Sequence, residues 1–137
     1  MLVLDTDTLT HLLLGHKRVT EKRAQATEEV ALSMVTRIEI LQGRFASVLK
    51  AENGEKLRLA QQRLAENERD LEKFIILSID AAASAEFDRL RQMKKLKIRR
   101  GDLLMAAITL AYRATLVTRN EKDFRKVPGL RIENWVE

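Results

Sequence analysis

Cysteine is absent, which excludes a disulfide scaffold, a thiolate metal site and a thiol nucleophile. No uncharged apolar run approaches the roughly 18 residues of a membrane span, and Met1-Leu-Val-Leu meets Asp5 too soon for a signal peptide. The sequence therefore predicts a cytoplasmic protein. Proline occurs once and glycine five times, and no linker, repeat or low-complexity tract interrupts the chain. Aromatics are scarce too: one Trp, one Tyr and four Phe, mostly in apolar runs, leave little for base stacking. What remains is ordinary for a folded domain, with 45% hydrophobic and 33% charged residues over a length of 137. One domain spanning residues 1–137 is expected. The 25 basic residues exceed the 20 acidic ones, which favours an anionic partner.

Apolar periodicity alternates between short strand-like runs and longer helical ones. Leu2-Val3-Leu4 reads as a buried strand ending at Asp5, and Thr8 to Leu14 as a short helix stopped by Gly15. Val19 to Glu29 is predicted helical. Val30 to Met34 reads as a second strand, and Thr36 then opens a helix to about Lys50. Alternating charge over residues 54–73, with Leu57, Ala60, Leu64 and Leu71 on one face, predicts another helix. Phe74 to Ile79 is the strongest strand signal, and Asp80 is placed to cap the alanine-rich helix after it. A helix from Asp102 to about Arg113, a strand at Leu116-Val117-Thr118 and a last strand within Leu130 to Trp135 complete the pattern. Strands separated by helices imply a mainly parallel sheet covered on both faces, a three-layer α/β/α sandwich. Sites in such sheets lie beyond the carboxyl ends of the strands.

That rule singles out acids. Asp5 ends the first strand, with Asp7 two residues on; Glu39 begins the helix after the second strand. Asp102 opens the helix before the fourth strand, and Asp123 follows that strand in Thr118-Arg-Asn120-Glu-Lys-Asp123. Clustered carboxylates repel one another and call for a bound cation or raised pKa values. Oxygen-only donors suit Mg²⁺ or Mn²⁺. Each acid also has a plainer reading. Asp5 and Asp7 could cap the following helix. Thr36-x-x-Glu39 has the form of a capping box. Asp102 could complement a helix dipole, and Asp123 could be a loop charge. His11 and His16 lack a matching histidine elsewhere and read as surface or packing residues.

Taken together, Leu4-Asp5-Thr6-Asp7, Thr36-Arg-Ile-Glu39, Gly101-Asp102-Leu-Leu-Met-Ala-Ala107 and Thr118-Arg-Asn120-Glu-Lys-Asp123-Phe124 resemble the PIN-domain ribonucleases. The resemblance is nearest to the VapC-type toxins of bacterial toxin–antitoxin pairs, and Val127-Pro-Gly-Leu-Arg-Ile-Glu-Asn-Trp135 looks like that group's ending. It implies a PIN-like α/β/α fold and hydrolysis of RNA phosphodiesters with Mg²⁺ or Mn²⁺. It also implies a homodimer and an inhibitory antitoxin laid in a hydrophobic groove. Asp5, Glu39 and Asp102 would be the core acids and metal ligands, and Asp123 the fourth, acting through water. Thr6, Thr118 and Asn120 would orient ligands or waters around the cofactor. The chain departs from the family pattern at Asp7, where Asn is common, and at Arg99-Arg100-Gly101, where many relatives carry a Pro-Asn-type lead-in.

The basic run Arg89, Arg91, Lys94, Lys95, Lys97, Arg99 and Arg100 leads straight into Asp102. It reads either as a solvated face or as a cleft rim on which Arg99 and Arg100 meet RNA phosphates. The apolar faces carrying Leu9, Leu12 and Leu13, then Ile40, Leu41 and Phe45, exceed what a core needs and suggest a partner surface. Two other functions fit parts of the pattern. Asp5-Thr-Asp7-Thr8-Leu resembles the start of haloacid-dehalogenase phosphatases, with Asp5 as phosphoryl acceptor, although Ala106 stands where a later acid is needed. A PIN fold that binds RNA or protein without catalysis is the other, although all four acidic positions are filled.

Overall fold

Leu2, Val3 and Leu4 are all buried, so the first strand needs cover on both sides, and the fold is organised around that need. The computed structural model describes residues 1–137. The elements are β1 (Leu2–Leu4), α1 (Thr6–Leu13), α2 (Lys17–Gln25), β2 (Val30–Ser33), α3 (Met34–Lys50) and α4 (Gly54–Glu72). They continue with β3 (Ile75–Leu77), α5 (Ala81–Arg91), α6 (Arg100–Ala111), β4 (Thr115–Val117), α7 (Glu121–Phe124) and β5 (Arg131–Glu133). The five strands form one sheet in the order β3-β2-β1-β4-β5, and every pairing is parallel. The α/β/α sandwich expected from the alternating pattern is what the chain forms. No helix is long and apolar enough to cross a membrane.

Strand periodicity assigns the two faces. Val3, Ala31 and Leu116 point into a larger core closed by α5 and α6, with Leu90, Met105 and Ile108 among its buried members. Leu2, Leu4, Leu32 and Val117 point the other way, onto Leu9, Val19, Leu71 and Trp135. Ala106 and Ala107 let α6 lie close to the sheet, and neither exposes any surface. A fully buried leucine or isoleucine contributes about 1.5–3 kcal/mol here.

Several boundaries differ from the sequence reading for local reasons. α1 begins at Thr6 rather than Thr8, because Asp5 is its N-cap and accepts from the Thr8 amide. Gly15, at φ +79°, ends that turn in the left-handed region, which costs glycine little. α2 starts earlier, at Lys17, with His16 as its cap. α3 is capped by Ser33, which accepts from the Thr36 amide, so Thr36 lies inside the helix and the capping-box reading of Glu39 is wrong. β3 stops at Leu77, and Asp80 caps α5 as expected. The one-turn α7, which carries Asp123, was not legible, since four residues are too few to show a period.

The candidate acidic site

β1 and β4 are parallel neighbours with Leu4 opposite Val117, and this register builds the floor of the site. Asp5 and Thr118, the next residue on each strand, therefore meet side by side. The Thr118 hydroxyl donates to Asp5 Oδ2 at 2.6 Å, while Asp5 Oδ1 accepts from the Thr8 amide at 2.8 Å. The cap reading of Asp5 is therefore correct for Oδ1, while Oδ2 is held by Thr118 across the sheet. Asp5 is 8% exposed. Burial pushes its pKa up from 3.8; the bonds from Thr118 and Thr8 only partly offset that rise, and the nearby charge of Asp7 adds to it.

Asp5, Thr6, Asp7, Glu39, Arg99, Asp102 and Asn120 line one cleft of about 500 Å³ at the carboxyl ends of the strands. The Thr6 hydroxyl donates to Glu39 Oε1 at 2.8 Å and stands 3.1 Å from the Thr36 hydroxyl. Glu39, in the second turn of α3, is held by this contact rather than by a helix cap. Asp102 occupies the first turn of α6. Between these two acids lies Arg99: its Nη2 is 3.2 Å from both Glu39 Oε2 and Asp102 Oδ1. The Asp102 carboxylate, followed by Glu39, raises the Arg99 pKa further and keeps the guanidinium charged.

Asp123 stands apart from the lining residues. The Asn120 amide donates to its Oδ2 at 3.1 Å, and Lys126 Nζ lies 3.6 Å from its Oδ1. The Asn120 bond, then the lysine, lowers the Asp123 pKa below 3.8. Thr6, Thr118 and Asn120 thus each orient a different acid. Arg100, the other arginine of the predicted rim, turns aside and places its guanidinium 5.3 Å from the Phe87 ring centre. Lys94, Lys95 and Lys97 are exposed on the irregular connection between α5 and α6.

Asp7 faces its own cation, Arg119, whose Nε is 3.4 Å from Asp7 Oδ2. That oxygen is shielded from solvent and has no partner within hydrogen-bond geometry. Arg119 was not singled out from the sequence, and nothing in Thr118-Arg-Asn distinguishes it from a surface arginine. The two histidines have structural partners: His11 Nδ1 lies 2.8 Å from the Asp7 carbonyl, and His16 Nδ1 accepts from the Val19 amide at 3.2 Å.

The donor set suits a hard divalent cation, being all oxygen and largely withdrawn from water. Glu39 and Asp102 side chains are 27% and 16% exposed and already converge on one cationic nitrogen. As they stand, no three Asp, Glu or His side chains close on a single point. Asp5 is committed to Thr8 and Thr118 instead.

A second groove of about 650 Å³, sharing Thr10 and Glu39 with the acidic cleft, runs between α1, α3 and α4, lined in part by Leu13, Leu14, Ile40, Arg44 and Asn67. The sequence expectation of surplus apolar surface holds for Leu13 and Phe45, which are exposed. It fails for Leu9, which is fully buried; Leu12, Ile40 and Leu41 are half-buried against the smaller core, and Ile40 also lines the groove.

Comparison with known proteins agrees with this geometry. The PIN domain family model matches residues 2–130. Ribonuclease VapC2 of Rickettsia felis is 33% identical over 109 residues, covering 77% of this chain and 74% of that protein. The structure of VapBC2 from Rickettsia felis bound to a promoter DNA fragment superposes with a TM-score of 0.78 at 26% identity, covering 98% of each chain. A toxin–antitoxin complex from Klebsiella pneumoniae shares the fold at a TM-score of 0.71 and 23% identity, over 95% of each chain.

Proposed function

The chain belongs to the PIN-domain family, and from that premise we propose that it is a divalent-metal-dependent endoribonuclease, the toxin of a toxin–antitoxin pair. The observation that carries the proposal is the meeting of Glu39 Oε2 and Asp102 Oδ1 at one cationic nitrogen, in the cleft that buried Asp5 also lines. The family match removes the support for the haloacid-dehalogenase reading of Asp5.

In this reading Asp5, Glu39 and Asp102 would hold Mg²⁺ or Mn²⁺. A bound ion of this kind supplies Lewis acidity, lowering the pKa of water and offsetting phosphate charge. The protein's own contribution is positional. Thr118 and the Thr8 amide fix the rotamer of Asp5, and Thr6 holds Glu39 toward the cleft. A cleft carboxylate takes the proton from the attacking water. Asp123 acts at one remove, through water and the Asn120 amide. Arg99 and Arg100 contribute to holding the RNA backbone at the rim, together with the exposed lysines of the same connection.

The partners follow from the same premise. The groove between α1, α3 and α4 offers the apolar floor and mixed-charge walls suited to an antitoxin segment, and the chain acts as a homodimer in the cytoplasm. The VapBC2 structure from Rickettsia felis, 26% identical, supports the antitoxin partner.

Incubating the purified protein with a pool of small RNAs tests the proposal. Cleavage is expected with Mn²⁺ and abolished by EDTA, with recovery when Mn²⁺ is restored in excess. Undiminished cleavage in EDTA, by protein free of contaminating nucleases, would contradict the metal mechanism. No cleavage under any condition would favour a module that only binds.

A further inference from the structure

We propose that Arg99 is a tethered counter-cation of the acidic cleft, which pairs Glu39 with Asp102 until a divalent ion displaces it. The inference rests on the metal-dependent reading above and adds a competitor built into the chain. Glu39 and Asp102 come from different helices, α3 and α6, and converge on the same atom, Arg99 Nη2, at 3.2 Å each. Two carboxylates this close to one point repel unless a positive charge lies between them, and here the chain supplies that charge.

The arrangement is suited to exchange. The carboxylates are 27% and 16% exposed, but the Arg99 side chain is 67% exposed, so the cation is the solvent-side partner. Its only hydrogen bonds run through Nη2, leaving Nε and Nη1 uncommitted to any side chain. Arg99 also sits at the N-cap position of α6 without making a cap bond, so swinging it out breaks nothing in the helix. A guanidinium and a divalent ion cannot share the same pair of oxygens without strong repulsion. Metal binding through this pair of oxygens therefore displaces the arginine, and its head group remains tethered at the cleft mouth.

Isothermal titration of Mn²⁺ into the metal-free protein tests this directly. Arg99→Gln is expected to bind Mn²⁺ about fivefold more tightly than wild type, the scale set by an exposed ion pair acting as competitor. Arg99→Lys, which keeps the charge, is expected to stay close to wild type. Arg100→Gln removes the same charge one residue away, from a side chain stacked on Phe87, and is expected to leave Mn²⁺ affinity nearly unchanged. Equal or weaker Mn²⁺ binding by Arg99→Gln would overturn the proposal alone. So would an equal gain in Arg100→Gln, which would indicate long-range charge and not competition for the oxygens. Absence of Mn²⁺ binding in every variant would overturn the metal reading and the counter-cation with it.

Discussion

Asp102→Asn is expected to fold normally and to cleave RNA at least about 100-fold more slowly than wild type. Asparagine keeps the shape and one oxygen, so the first turn of α6 survives, but the charge that would hold a cation is gone. From sequence alone, losing one of several clustered acids should leave the metal-free protein as stable or more stable, through relief of repulsion. Arg99 changes that balance: it already offsets the Asp102 charge at 3.2 Å, so removing the charge also weakens an attractive pair. The two effects oppose each other, and the pair includes a mostly exposed arginine. The net change in metal-free stability should stay within about 1 kcal/mol. The rise in thermal stability on adding Mn²⁺ should shrink, because ligand-induced stabilisation follows affinity for the native state. A variant that cleaves RNA at near wild-type rate would remove Asp102 from the site, and one that unfolds would make its role structural.

Asp5→Asn is expected to abolish cleavage to a similar degree while stabilising the metal-free protein at neutral pH. Burial raises the Asp5 pKa in the folded state above its unfolded value near 3.8. The folded protein therefore holds this proton more tightly than the unfolded chain does. Asp5 favours folding most below 3.8, and that contribution is lost as pH rises through the raised folded-state pKa. Asparagine does not titrate. It can still accept from the Thr8 amide, and its NH₂ group can donate to Thr118. Thermal melts of the two proteins across pH should thus diverge in favour of Asp5→Asn as pH increases from about 4. Melting curves that stay parallel, or diverge the other way, would show that desolvation does not dominate at Asp5.

Strands β1 to β4 were legible because each is a short apolar run ended by a polar residue, whereas β5, Arg131-Ile-Glu133, showed only alternation; parallel βαβ order then placed Asp5, Glu39 and Asp102 at one end of the sheet. Their common lining of one cleft agrees with that placement. What the sequence hid is the direction of individual side chains. Ser33, and not Thr36, caps α3, because β2 runs directly into the helix with no loop between them. Arg99 and Arg100 are identical neighbours in the sequence. One points into the cleft and the other onto Phe87, a difference set by where α5 and α6 pack and invisible in composition or period. Asp123 reads as a peer of the other acids by spacing, yet α7 holds it against Asn120 and Lys126.

Anomalous X-ray scattering from crystals soaked in Mn²⁺ would locate the ion among the side chains. The expected result is a peak in contact with the carboxylates of Glu39 and Asp102, in the cleft lined by Asp5, with the Arg99 guanidinium moved off both acids. A peak at that place in Asp102→Asn with undiminished strength, or wild-type binding confined to sites elsewhere on the molecule, would contradict it.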